Sequence, residues 1–220
     1  MIGRAELARR IDHTLLDPLA TPGQVAMFLA DAATLGVGAV CVSPSRLPLP
    51  AGSLPPAVAV AAVVGFPSGA HRPEVKAQEA RLAVEAGATE LDLVIDLGLA
   101  KAGLWLQVEA EVAAVRHAAP APVLLKVIIE AAALPGDVAV VAACHAAVAA
   151  GADMVKTSTG MHPAGGATVH HVALMADAVG GRLGVKAAGG IRDAATALAM
   201  LDAGATRLGC SATRAILDGL

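Results

Sequence analysis

Lys126, Lys156 and Lys186 lie inside apolar, β-branched segments of a 220-residue chain that has only five lysines in all. They recur at intervals of 30 residues, roughly the length of one strand–helix unit. The equal spacing predicts matching levels on three consecutive strands. An unpaired buried ammonium is costly, so such groups are either paired inside the fold or poised for chemistry. For Lys126 a structural ion pair with Asp92 or Asp96 explains the residue as well as catalysis does. For Lys156 and Lys186 together chemistry is the better reading. One nearby carboxylate cannot neutralise every ammonium, and crowded ammonium groups favour loss of a proton from one of them. An uncharged amine is what imine formation with a carbonyl requires.

Strand alternation sharpens this expectation. If Val123, Leu125, Val127 and Ile129 face outward, Lys126 faces inward. The same parity turns Asp92 inward against Leu91, Leu93 and Ile95, Lys156 inward against Val155 and Thr157, and Lys186 inward against Val185 and Ala187. Asp12 alternates likewise against Ile11.

Elements that could hold these side chains follow from the pattern of the chain. Strands are predicted at Ile11–Leu16, 39–43, 58–66, 90–96, 123–130, 154–158, 184–188 and 207–211, with longer Ala-rich helical stretches between them. Trp105, Val108, Val112 and Val115 fall on one helical face. Three junctions, Ala86-Gly87-Ala88, Ala150-Gly151-Ala152 and Ala203-Gly204-Ala205, mark helix ends where glycine supplies a left-handed residue. Strand then helix, repeated, means parallel pairing through right-handed crossovers. Eight such units predict an α/β fold, a (β/α)8 TIM barrel, as a single domain over 1–220 with a short N-terminal helix. A six-stranded open sheet is the runner-up, but no G-x-G-x-x-G turn follows the first strand. Pro44–Pro56 reads as a surface connection.

Composition sets further bounds. The chain is 56% hydrophobic with two Phe, one Trp and no Tyr, so its core is built from Ala, Val, Leu and Ile. A net charge of -3 with mixed signs gives no basic field for nucleic acid or anionic lipid. Apolar runs are broken well short of the roughly 20 residues of a membrane span. Cys41, Cys144 and Cys210 form no Cys-x-x-Cys pair, which points away from a disulfide scaffold or a metal site and toward a reducing, cytoplasmic setting. His162, His170 and His171 read as surface residues rather than metal ligands.

The segments Val155-Lys156-Thr157-Ser158-Thr159-Gly160, Lys186-Ala187-Ala188-Gly189-Gly190-Ile191-Arg192 and Glu90-Leu91-Asp92-Leu93-Val94 resemble the deoxyribose-phosphate aldolase family. The resemblance continues through Ile11–Leu16, Cys41, Gly65-Phe66-Pro67, Leu125–Glu130 and Arg207–Ser211, so it covers nearly the whole chain. It implies a class I aldolase that needs no metal or cofactor and reversibly cleaves 2-deoxy-D-ribose 5-phosphate to D-glyceraldehyde 3-phosphate and acetaldehyde. It also implies Lys156 as the imine-forming lysine, Lys186 as the neighbouring cation that favours its uncharged form, and Asp92 as proton donor and acceptor. Asp12, Thr14, Cys41, Lys126 and Thr159 are supporting candidates, with Cys41 better read as a small core residue. Thr157 and Ser158 read as packing residues.

The substrate's phosphate is expected where backbone amides converge at helix starts. Gly189 and Gly190, with Gly209 and Ser211, supply two such places, and Gly160 and Arg192 complete the set. Ala212, Ala131, Asp17, Asp96 and the run Met161-His162-Pro163 depart from the family's usual residues, and without tyrosine a tyrosine-ended tail cannot supply protons. Two competing readings are another Schiff-base sugar-phosphate aldolase and a non-catalytic sugar-phosphate-binding barrel. The Ala-rich helices would suit a homodimer.

Overall fold

Eight parallel strands close on themselves in chain order, each paired with the next and the last with the first. The computed structural model describes residues 2–220. The strands are β1 (Ile11–Leu15), β2 (Ala39–Val42), β3 (Ala59–Val64), β4 (Glu90–Val94), β5 (Leu124–Ile128), β6 (Met154–Lys156), β7 (Gly184–Ala188) and β8 (Arg207–Cys210). The helices are α1 (Arg4–Arg9), α2 (Pro22–Leu35), α3 (Pro73–Glu85), α4 (Leu97–Lys101), α5 (Trp105–Ala118), α6 (Asp137–Ala149), α7 (Val169–Val179), α8 (Ala194–Asp202) and α9 (Thr213–Asp218). The fold is the expected TIM barrel, with α1 ahead of β1. The predicted strands run one or two residues too far at several ends. At the C-terminal ends those residues, Ser158 and Ser211 among them, already belong to the loops at the barrel mouth.

Local chemistry sets the element ends. Thr21 and Gln24 cap α2 reciprocally, Thr168 caps α7 and Asp193 caps α8, each satisfying an amide left open at a helix start. At the other ends Gly87, Gly151 and Gly204 take φ of 102°, 78° and 109°, as the three Ala-Gly-Ala junctions predict.

Strand parity divides the interior. Ile11, Leu91, Leu93, Leu125, Val127, Val155, Val185 and Ala187 point outward and form one continuous apolar shell with the inner faces of the helices. Inside the barrel the β2–β3 side is apolar, formed by Cys41, Ala61 and Val63 with Leu16 and Phe66. The other side carries the charged residues, with Val94, Ile128 and Met154 between them.

The register corrects the equal-level expectation. Lys156 pairs with Lys186, but Lys126 pairs with Met154 and with Asp92, while Ile128 stands opposite Lys156. A closed barrel staggers its strands, so Lys126 sits one inward position nearer the strands' N-terminal ends than a 30-residue repeat suggests.

Candidate active site

The floor of the site is a buried cluster of seven charged side chains. Asp92 is its centre: Lys126 Nζ donates to Oδ1 at 2.7 Å, and Lys156 and Lys186 both donate to Oδ2, each at 2.7 Å. Lys126 Nζ also lies 2.6 Å from Glu90 Oε2 and 3.6 Å from Asp12 Oδ2. Lys186 bonds in addition to Asp12 Oδ2. Asp12 Oδ1 accepts from Arg207 Nη1 at 2.8 Å, and Arg207 Nη2 lies 3.6 Å from Glu90.

Burial alone would push the Asp12 carboxyl upward, yet Lys186, Lys126 and Arg207 outweigh it and lower it to about 2. Asp92 faces the same contest and is held well below the usual carboxylate range by Lys126, Lys156 and Lys186. Burial acts to strip the protons from Lys126 and Lys186, but the carboxylates prevail and both are raised. Strand parity had turned two carboxylates, Asp92 and Asp12, inward with the lysines, and the barrel holds three. Glu90 and Arg207 were missed, although Glu90 shares the inward parity of Asp92. Four cations nevertheless face three carboxylates, so one cation has no counter-ion of its own.

Above the cluster opens a cavity of about 190 Å³ at the C-terminal ends of the strands. Of the seven charged residues only Lys156 lines it, with its side chain 4% exposed. Lys186, Asp92, Asp12 and Lys126 lie beneath, fully buried. Thr14, Thr159, Gly160, Gly189, Gly190, Arg192, Gly209 and Ser211 all line the same cavity, together with Leu16, Met161 and Ile191. Candidates drawn from six of the eight strands or the loops that follow them are thereby brought to one place.

Several further details complete the surroundings of the cluster and the cavity. Cys41 packs in the apolar interior, its Sγ 3.9 Å from Asp92 Oδ2, and burial together with the Asp92 charge pushes its thiol up to about 11. A thiol is a poor nucleophile in that state. Gly209 serves the lysine cluster as well as the cavity, because a Cβ there would stand 3.1 Å from Lys186 Cε and 3.0 Å from Ala188 Cβ. At the start of α8 the Asp193 carboxylate takes the Thr196 amide at 2.7 Å. The cavity is lined instead by the preceding loop, Gly189–Ile191. That loop is pressed against the one after β6: a Cβ on Gly166 would meet Gly189 O at 2.2 Å. Thr157 Oγ1 bridges the Ala188 carbonyl and amide, as a packing residue should, whereas the buried Ser158 hydroxyl has no hydrogen-bond partner among the described residues.

Glu130 was not singled out as a site residue from the sequence. It is fully buried at the end of β5, and φ 51° makes it the one non-glycine residue in the left-handed region among those described. Holding such a residue there costs about 1–3 kcal/mol. Its carboxylate accepts from the Thr159 amide at 3.2 Å and from the Thr159 hydroxyl at 2.6 Å. No periodicity could have revealed this, because the contact depends on one backbone conformation beyond the strand.

Comparison with known proteins places this geometry. Residues 8–219 match the family described as DeoC/LacD family aldolase. The deoxyribose-phosphate aldolase of Kocuria rhizophila is 60% identical over 220 residues, covering 100% of this chain and 99% of the relative. That of Nocardia farcinica is 60% identical over 216 residues, covering 98% and 95%. Among solved structures, the tetrameric deoxyribose phosphate aldolase of Aeropyrum pernix superposes with a TM-score of 0.88 at 35% identity, covering 98% of this chain and 91% of the other. An aldolase designated QR15 superposes with a TM-score of 0.91 at 37% identity, covering 97% and 95%.

Proposed function

This chain belongs to the DeoC/LacD family of aldolases, and from that premise we propose that it reversibly cleaves 2-deoxy-D-ribose 5-phosphate to D-glyceraldehyde 3-phosphate and acetaldehyde, as one barrel domain over 1–220 with Lys156 as the covalent nucleophile. The observation that carries the assignment is the position of Lys156, the one amine of the charged cluster that reaches the cavity. The count of charges agrees with it. When Lys156 is uncharged, Lys126, Lys186 and Arg207 balance Asp12, Glu90 and Asp92, and the buried cluster is neutral.

The chemistry then follows. The Lys156 amine adds to the C1 aldehyde carbon, and loss of water with uptake of one proton from solvent, given back at the final hydrolysis, leaves a protonated imine whose positive charge stands beside Asp92 Oδ2, where the lysine nitrogen lies at 2.7 Å. The two-carbon product requires the C2–C3 bond to break. Its electron pair moves into the imine to form a neutral enamine while the C3 hydroxyl loses its proton and becomes the carbonyl of glyceraldehyde 3-phosphate. With three cations on it Asp92 is a weak base, but enamine formation removes one of those charges as the hydroxyl proton is released. Asp92 therefore gains basicity at the moment it is needed, and through a water it takes the proton and returns it to C2. Hydrolysis of the acetaldehyde imine frees the lysine. The phosphate rests against the Gly189–Gly190 loop, Gly160 and Ser211, with Arg192 at the rim, all lining the cavity that Lys156 enters. Thr14 and Thr159 meet the substrate's hydroxyl side.

We extend the same reading to the setting: a cytoplasmic enzyme of deoxyribonucleotide catabolism that acts as a homodimer. Three buried free thiols suit a reducing compartment, and no helix among the described residues is long and apolar enough to cross a membrane. Exposed Leu106 and Val138, at the starts of the neighbouring α5 and α6, offer apolar area for a second copy, which sedimentation would test. Activity is tested with a panel of deoxyribose 5-phosphate, fructose phosphates and keto-deoxy sugar phosphates. Release of acetaldehyde from the first alone supports the assignment. Cleavage of another ester in its place makes the chain a different Schiff-base aldolase, and no cleavage of any makes it a binding barrel.

A further inference from the structure

Thr159 has a hydroxyl with one hydrogen and two lone pairs. The hydrogen is committed to Glu130 Oε2 at 2.6 Å, and one lone pair accepts the Met161 amide at 3.1 Å. The other remains on a side chain that lines the substrate cavity. Glu130 itself is fully buried, with both carboxylate oxygens also receiving the Thr159 amide, at 3.3 and 3.2 Å. Its left-handed backbone aims the carboxylate across from β5 to the loop after β6, and its neighbour's amide ties the same two segments together, Ala131 N to Thr157 O at 2.8 Å. No step of the lysine chemistry uses Glu130.

We infer that Glu130 is a positioning and specificity-determining residue: it fixes Thr159 as a hydrogen-bond acceptor, so that the cavity selects aldehydes carrying a hydroxyl donor over those without one. The inference rests on the aldolase reading above. A hydroxyl whose hydrogen points to a carboxylate cannot donate to a ligand, and the carboxylate strengthens the acceptor that is left. A hydroxyl on the sugar phosphate or on glyceraldehyde 3-phosphate can use that acceptor, and acetaldehyde cannot.

The test compares a hydroxylated and a plain substrate. Glu130→Gln, Thr159→Val and Thr159→Ser are assayed for kcat and KM on deoxyribose 5-phosphate and for the rate at which borohydride traps acetaldehyde on Lys156. Glu130→Gln and Thr159→Val are expected to lower kcat/KM on the sugar phosphate about ten- to hundredfold, the range of a lost charge-assisted hydrogen bond. Acetaldehyde trapping should stay within about twofold of the parent chain on the same accounting, because the acetaldehyde imine makes no such bond. Thr159→Ser, which keeps the hydroxyl, should recover most of the sugar-phosphate kcat/KM that Thr159→Val loses. Parallel loss of both readouts, or a change in neither, overturns the inference, as does a Thr159→Val enzyme with unaltered sugar-phosphate kinetics. Failure of the parent chain to form any acetaldehyde adduct on Lys156 overturns the underlying aldolase reading instead.

Discussion

Replacing Lys186 with leucine should stop turnover at neutral pH while leaving the barrel folded. The wild-type cluster has one cation more than it has carboxylates, and Lys156 and Lys186 share the same oxygen of Asp92. Two unit charges about 4 Å apart repel by about 4 kcal/mol at an effective dielectric near 20. At twice that dielectric the repulsion is half as large, which sets a range of about 2–4 kcal/mol. Without Lys186 the remaining cations Lys126, Lys156 and Arg207 balance the three carboxylates, so the excess of one cation is gone. Turnover should therefore fall about 30- to 1000-fold, at about 1.4 kcal/mol per decade of rate. Stability should change little. Asp12 keeps Arg207 at 2.8 Å and Lys126 at 3.6 Å, and Asp92 keeps Lys126 and Lys156. The assay is kcat for deoxyribose 5-phosphate from neutral to alkaline pH beside a urea melt of the same variant. A folded variant with turnover lowered across that range is the expected result. Near-wild-type turnover at neutral pH refutes the reasoning, and so does a loss of turnover that only tracks a loss of folding.

Asp92→Asn should do the opposite to stability, because it leaves four cations facing two carboxylates: about 3–5 kcal/mol is lost, seen as a melting temperature lower by about 6–20 °C for a chain of this length, and turnover should drop about 10²- to 10⁴-fold with the proton relay removed. The pH dependence of wild-type stability has a definite sign at each end. Asp12 and Asp92 are lowered, so their contribution is present above about pH 4 and is lost as pH falls through about 2 and below; Lys126 and Lys186 are raised, so theirs is present below about pH 10.5 and fades as pH rises beyond it. Urea midpoints across pH check both limbs, and a flat profile below pH 4 would contradict the ion network. Gly166→Ala should displace Gly189, since the new Cβ would fall 2.2 Å from its carbonyl oxygen. KM for the phosphorylated sugar should rise about tenfold or more if the phosphate loses one good hydrogen bond, with a smaller change for unphosphorylated deoxyribose; equal changes would remove the phosphate from that loop.

Much of the architecture was legible because it is written in periodicities. Alternation turned Lys126, Lys156, Lys186, Asp92 and Asp12 inward, and the Ala-Gly-Ala junctions marked three helix ends where glycine does take a left-handed conformation. The glycines after β6 and β7 could be assigned to the mouth because they follow strands that carry an inward-facing lysine. What stayed hidden depends on how distant strands meet. The stagger that lowers Lys126 relative to Lys156 is a property of barrel closure and has no local signal. Arg207 and Asp12, 195 residues apart in the chain, become partners only when β8 closes on β1. Lys76 is a further case. It is fully buried on α3 against Glu111 and the Val94 carbonyl, although a lysine in a helix with polar neighbours reads as solvent-exposed. Glu130 was hidden for another reason, since its role lies in one dihedral angle.

The most direct test of the whole account is reductive trapping. The chain is treated with acetaldehyde and borohydride, digested, and mapped by mass spectrometry. A two-carbon ethyl adduct confined to Lys156 is the expected result. An unmodified Lys156, with the label on Lys126 or Lys186 or nowhere, would contradict the claim that the one lysine reaching the cavity is the one that bonds to the substrate.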